Sequence, residues 1–192
     1  MMSLCFASNN KHKLDEVRAA LGETFRIVTL AEIGCTIDLP ETQPTIEGNA
    51  LQKARYVTDH FKISCFADDT GLEVDALQGA PGVYSARYAG PQRNANDNID
   101  LLLSNLATTR NRSARFKSVI ALIIDGQEYL FEGLLEGTIL RERQGQGGFG
   151  YDPVFQPIGH DRTLAELSMD QKNQISHRGL AVKKLVNFLR TR

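Results

Sequence analysis

Two adjacent carboxylates, a hydroxyl and a glycine, Asp68-Asp69-Thr70-Gly71, follow the apolar pair Phe66-Ala67. The apolar approach reads as a buried strand, and the four residues after it read as the place where that strand stops. Carboxylates do not end a buried strand for packing reasons. Neighbouring side chains on an extended segment point to opposite faces, so Asp68 and Asp69 are expected to do different jobs, one looking into a cleft and the other tying down the turn. Hard oxygen donors of this kind suit Mg²⁺, which takes one or two carboxylates together with substrate phosphates. The alternative for the tetrapeptide alone is an Asx-type turn whose carboxylates only satisfy loop N–H groups.

Three further groups of residues could act with this acidic centre. Ser8-Asn9-Asn10-Lys11-His12-Lys13 places a hydroxyl, two amides and two lysines at the start of a helical pattern, a cradle for phosphate. It lacks the glycines of a Walker A sequence, and taken alone such a stretch is more often a plain N-cap with solvated lysines. The run from Gln144 to Pro153 is rich in glycine and carries an aromatic (Phe149) and an acid (Asp152), so a ligand could touch backbone there. Lys172 and Ser176-His177-Arg178-Gly179 precede or open the last helical stretch, where a His-Arg pair is either a polar reader or surface decoration. Phosphate grip, metal carboxylate, aromatic platform and polar base reader together describe a nucleoside triphosphate site.

These groups need elements to hold them. Residues 3–7 read as a strand broken by Ser8-Asn9-Asn10, and Leu14, Val17, Ala20 and Leu21 follow at helical spacing. Residues 25–30 suggest a second strand, residues 35–45 a surface loop with Pro40 and Pro44, and Ile46, Ala50, Ala54, Val57 and Phe61 a second helix. Leu72, Val74 and Leu77 suggest a separate short strand beyond the acidic centre, followed by a turn-rich stretch over residues 78–87. Residues 94–108 read as a helix capped by Asn94 or Asn96. Residues 116–124 and 128–135 are apolar runs flanking Asp125-Gly126, a pair favoured in type I′ turns, and predict a hairpin with Gly133 and Gly137 as possible bulges. From Ser176 the tail reads as a helix with Leu180, Leu185, Phe188 and Leu189 on one side and Lys183, Lys184, Arg190 and Arg192 suiting its end. Helices and strands mix without strict alternation, so the fold class is α/β with a mixed, partly antiparallel sheet.

The totals narrow the function classes. A chain of 192 residues supports one good core or one core with a smaller lobe. A net charge of -1 argues against a nucleic-acid coat or a polybasic membrane anchor and points to a small partner. No apolar run approaches the length needed to cross a bilayer, and the opening Met1-Met2-Ser3-Leu4-Cys5-Phe6 lacks the pattern of a signal peptide, so a cytoplasmic setting is expected. Cys5, Cys35 and Cys65 lie far apart, without metal or disulfide spacing, and are expected to be buried small hydrophobes.

Five stretches carry a resemblance: residues 7–13, residues 66–72, Gly79-Ala80-Pro81-Gly82-Val83-Tyr84-Ser85-Ala86-Arg87-Tyr88, residues 147–153 and Ser176-His177-Arg178-Gly179. In this order, and over nearly the whole chain, the sequence resembles the inosine triphosphate pyrophosphatase family. The resemblance implies a single domain over residues 1–192, an elongated mixed α/β fold of two lobes with the active site in a central cleft, Mg²⁺ as cofactor and a homodimer. It implies cleavage of ITP, dITP and XTP between the α and β phosphates, giving the monophosphate and pyrophosphate.

Position by position, the resemblance implies that Ser8, Asn9, Asn10, Lys11, His12 and Lys13 hold the triphosphate, with Lys53 as a second cationic partner. Asp69 matches the proton acceptor and a metal ligand, and Glu41 falls where another metal carboxylate is expected. Thr70 matches a substrate-binding hydroxyl, while Phe149, Gly150, Tyr151, Asp152, Lys172, His177 and Arg178 match the nucleoside pocket. Glu47-Gly48-Asn49 departs from the acidic start of the second helix in that family. Rival readings are a pyrophosphatase for modified pyrimidine or methylated nucleotides, and a module that binds nucleotides without cutting them.

Overall fold

The computed structural model describes residues 3–21 and 25–191, with the side chains of His12, Glu16, Ala19 and Ala20 outside the description. β1 (Ser3–Phe6) is short because Ser8-Asn9-Asn10 follows at once. It pairs in parallel with β2 (Arg26–Thr29) on one side and with β3 (Cys65–Val74) on the other. α1 (Lys11–Leu21) and α2 (Ile46–Phe61) supply the connections. Thr45 caps α2 by accepting from the Gly48 N–H at 3.0 Å, and Lys62 ends it in the left-handed conformation.

β3 corrects the sequence reading. It runs ten residues without a break through Asp68, Asp69, Thr70 and Gly71, so the strand does not stop at the carboxylates and no Asx turn forms there. Leu72 and Val74 belong to this same strand rather than to a separate one, and Leu77 lies in a 3-10 turn (Asp75–Leu77). Polar residues survive inside a central strand because their side chains meet oppositely charged partners, as set out below.

β4 (Pro81–Gly82) adds antiparallel to β3, and α3 (Ala95–Asn105) starts at Asn94, whose side chain accepts from the N–H groups of Asn96 and Asp97. β5 (Ser113–Ile124) and β6 (Gln127–Ile139) form the expected hairpin, with Asp125 at φ 51° and Gly126 at φ 73°, the positive pair that a type I′ turn demands. β7 (Phe155–Pro157) pairs antiparallel with β6. The seven-stranded sheet is ordered β2-β1-β3-β5-β6-β7, with β4 on β3. α4 (Met169–Ile175) and α5 (His177–Arg190) complete the chain. The sequence reading did not anticipate α4 or β7. Arg192 lies outside the described residues.

The chain divides into two compact units, each with its own core. The first comprises Met1–Asp69, Ser118–Gly133 and His177–Arg192; the second comprises Thr70–Lys117 and Leu134–Ser176. In the first, Phe6 and Phe66 stack at 4.9 Å between ring centroids, and Val17, Ile120 and Leu185 close around them. Each such fully buried large side chain contributes about 1.5–3 kcal/mol relative to exposure. In the second, Leu72, Leu102, Phe116, Ile139 and Phe155 pack together, with Phe116 and Phe155 at 4.6 Å. Gly133 and Gly137 sit within an unbroken β6, and at Gly133 the reason is close approach: a Cβ there would stand 1.9 Å from the His177 carbonyl oxygen of α5. All three cysteines are buried and free.

Candidate active site

In the first unit, the chain leaves β1 into a capping loop. The Ser8 hydroxyl accepts from the Asn10 N–H and the Asn10 side chain accepts from the Lys13 N–H, each at 3.2 Å, which fixes the start of α1. Ser8 is half-buried, whereas Asn9, Asn10 and Lys11 are exposed. The side chain of His12 lies outside the described residues. Lys13 turns inward and its ammonium lies 3.1 and 3.0 Å from the two carboxylate oxygens of Asp68.

Asp69 has a different partner, as alternation along a strand demands. Lys53, on the buried face of α2, places Nζ 2.6 Å from Glu41 Oε1 and 3.4 Å from Asp69 Oδ1. The loop carrying Glu41 is held by two backbone contacts to α2, from Thr42 N–H to the Gln52 side chain and from Gln43 N–H to the buried Asn49 side chain, both at 2.9 Å. Asn49, at the Glu47-Gly48-Asn49 departure, thus ties down the loop that presents Glu41.

The third cation of the cluster is Arg178. Sequence reasoning left His177 and Arg178 open to a surface role, yet both are buried, and Arg178 Nε donates to Asp68 Oδ2 at 3.3 Å. Lys13, Lys53 and Arg178 therefore face Glu41, Asp68 and Asp69 in one buried or half-buried group of charges. Burial alone would raise the Asp68 pKa, but Lys13, Arg178 and Lys53 outweigh it and hold the carboxyl down at about 2. For Asp69 the balance reverses: desolvation pushes its pKa up, only partly offset by Lys53 and Lys13, and Glu41 and Asp68 push the same way. For Lys53, burial lowers the pKa, but Asp69, Asp68 and Glu41 together leave it raised. Glu41 and Asp69, from a loop and a strand, both lie against the Lys53 ammonium, and as hard oxygen donors they are of the type that suits a divalent cation, although among the described residues no third carboxylate, histidine or cysteine joins them as a ligand group.

In the second unit, Asp152 is the hub. Its Oδ2 accepts from the Phe149 N–H at 2.9 Å and from the Lys172 ammonium at 2.5 Å, and the carboxylate is buried. Lys172 comes from α4, which the sequence reading lacked, and Phe149 is 44% exposed. Tyr151 is buried and donates its hydroxyl to the Ser85 carbonyl at 2.8 Å. Ser85 in turn accepts from the Leu72 N–H and donates to the Gly82 carbonyl, and Asn98 of α3 reaches the Ala86 carbonyl. Gly150 and Thr70 are half-buried. Asp68 was given no specific site role from the sequence, and the supporting bonds of Ser85 and Asn98 were not anticipated. Asp68 was legible as one of two adjacent carboxylates in an apolar strand; Ser85 and Asn98 had no signal, since a serine in a turn and an asparagine in a helix read as ordinary.

The architecture is that of an α/β protein with a mixed sheet, carrying a buried acid–cation cluster in its first unit and an aromatic–acid–lysine cluster in its second. The model of the Ham1 family matches residues 4–188, and the chain belongs to that family. It is 54% identical over 188 residues to the dITP/XTP pyrophosphatase of Flavobacterium johnsoniae and 55% identical over 190 residues to that of Porphyromonas gingivalis, covering 98% of both chains in each case. Among solved structures it superposes on a HAM1 protein from Coxiella burnetii with a TM-score of 0.95, at 38% identity and full coverage of both chains.

Proposed function

We propose that this chain hydrolyses the non-standard purine triphosphates ITP, dITP and XTP to the nucleoside monophosphate and pyrophosphate, removing them from the nucleotide pool. Membership of the Ham1 family and the names of relatives more than half identical to it support the activity. The observation that carries the chemistry is the meeting of Glu41 and Asp69 on Lys53, with Lys13 close by on Asp68.

In this reading, residues 8–13 and Lys53 take the triphosphate, and Glu41 and Asp69 hold Mg²⁺. When bound, the ion supplies positive charge to the phosphates. Asp69 accepts a proton from the attacking water. Oxygen from water bonds to the α phosphorus, the bond to the bridging oxygen breaks, and pyrophosphate leaves with the electron pair. Lys13 and Lys53 offset the charge that builds on it.

The base is assigned to the face of Phe149, with Gly150, Tyr151 and Asp152 shaping the pocket and Thr70 binding substrate. Lys172, His177 and Arg178 favour a C6 carbonyl over the amino group of adenine, because donors left unpaired by the wrong base are costly in a buried site. A homodimer, a cytoplasmic setting and independence from nucleic acid complete the proposal. Among the described residues no helix is long and apolar enough to cross a membrane.

The test is a panel of ITP, dITP, XTP, GTP, ATP and methylated or pyrimidine triphosphates with Mg²⁺, scoring monophosphate and pyrophosphate. Preference for the first three supports the reading. Equal or greater turnover of a pyrimidine or methylated nucleotide, or pyrophosphate from none of them, would refute it.

A further inference from the structure

We propose that Asp68 is a positioning residue that couples base recognition to phosphate grip, by holding Lys13 and Arg178 on one buried carboxylate. The inference rests on the reading above, in which Lys13 faces the phosphates and Arg178 the base. Neither mechanism nor resemblance assigns a task to Asp68, yet it is 1% exposed and is bonded to cations separated by most of the chain.

The geometry explains how one side chain serves both ends. Lys13 Nζ sits astride the two carboxylate oxygens, and Arg178 Nε approaches Oδ2 alone. Asp68 is held by a central strand and cannot follow either cation. The backbone that carries Arg178 is fixed as well, because β6 approaches the first turn of that helix so closely at Gly133 that even a methyl group would strike His177 and Ala181 backbone atoms. A base that displaces Arg178 therefore disturbs the partner of Lys13, and a mispositioned Lys13 changes the field on Arg178. Energy from the non-reacting base is thereby used at the reacting phosphate, and linkage makes the coupling reciprocal.

The experiment compares kcat/KM for ITP and ATP in the wild type, Asp68→Asn, Arg178→Gln, Lys13→Gln and the Asp68→Asn/Arg178→Gln pair, with IMP binding by calorimetry and thermal melts as controls. Coupling predicts that Asp68→Asn lowers the ITP:ATP ratio at least tenfold and weakens IMP binding, although Asp68 is not among the residues assigned to the base. The double variant then has a ratio no lower than that of Arg178→Gln. Should Asp68→Asn not fold, Lys13→Gln carries the test: a lysine assigned to phosphate must then alter base preference. A ratio unchanged in Asp68→Asn or Lys13→Gln while Arg178→Gln lowers it, or losses that multiply in the double variant, would overturn the coupling alone. An unchanged ratio in Arg178→Gln would overturn the base assignment beneath it.

Discussion

The ammonium of Lys172 lies 4.5 Å from the centroid of the Phe149 ring. A cation against one face of an aromatic ring fixes the ring through its quadrupole. The same ammonium is bonded to buried Asp152, which in turn holds the Phe149 N–H. Lys172 therefore holds the Phe149 ring in place, and in the proposed reading that ring is the stacking platform and Lys172 also a donor to the base. Lys172→Met is expected to leave Asp152 without its cation in a buried setting, at a cost of about 3–5 kcal/mol in stability. Urea denaturation measures that loss, and a rise in KM for ITP larger than the fall in kcat would mark the platform role.

Asp69→Asn separates function from stability. Because burial raises the Asp69 pKa, the folded chain disfavours its ionised form relative to the unfolded chain. The sign follows: the destabilisation is absent at low pH, grows as pH rises through the ordinary aspartate range and is complete above the raised value. At pH 7 without metal, Asp69→Asn is expected to melt at a higher temperature than the wild type, while turnover of ITP falls at least ~100-fold and nucleotide binding persists. A lower melting point would contradict the desolvation argument, and unchanged turnover would remove Asp69 from the mechanism.

Asp68 behaves in the opposite sense. Its carboxyl is held at about 2 against an ordinary 3.8, so its ion pairs stabilise the fold fully above 3.8 and progressively less as pH falls toward 2. The difference corresponds to stability on the order of 2 kcal/mol. Unfolding midpoints taken from pH 5 to pH 2 should fall more steeply in the wild type than in Asp68→Asn, which is less stable at neutral pH and flatter on acidification.

Tyr151 tests the tie between the glycine-rich loop and the stretch around Ser85. Tyr151→Phe keeps the ring and deletes the bond to the Ser85 carbonyl, for an expected loss of about 1 kcal/mol. A thermal melt measures the cost, and hydrogen exchange should report faster opening over residues 147–153.

Some of this was legible in the residues themselves. The Asp125-Gly126 hairpin, the Asn94 cap of α3 and the apolar faces of α2 and α5 follow from local rules of turn, cap and period, and the structure agrees with them. The neighbouring carboxylates stood out because nothing in packing calls for them beside an apolar strand, and the structure pairs them with buried cations. Local rules also misled: Asp-Asp-Thr-Gly looks like a strand end, since short-range chemistry favours a turn there, yet β3 continues through it.

What overrode that preference is long-range charge pairing. Lys13, Lys53 and Arg178 come from three different helices, and only folding places them against Asp68 and Asp69. The sequence by itself determined which groups are available and the periods of the helices and strands that carry them. Tertiary structure alone decided that Asp68 takes Lys13 and Arg178 while Asp69 takes Lys53, that Lys172 underlies Phe149, and that Ser85 and Asn98 secure Tyr151. Contacts between residues far apart in the chain leave no periodic trace in it, and the energy of a buried charge depends on neighbours that exist only once the chain has closed.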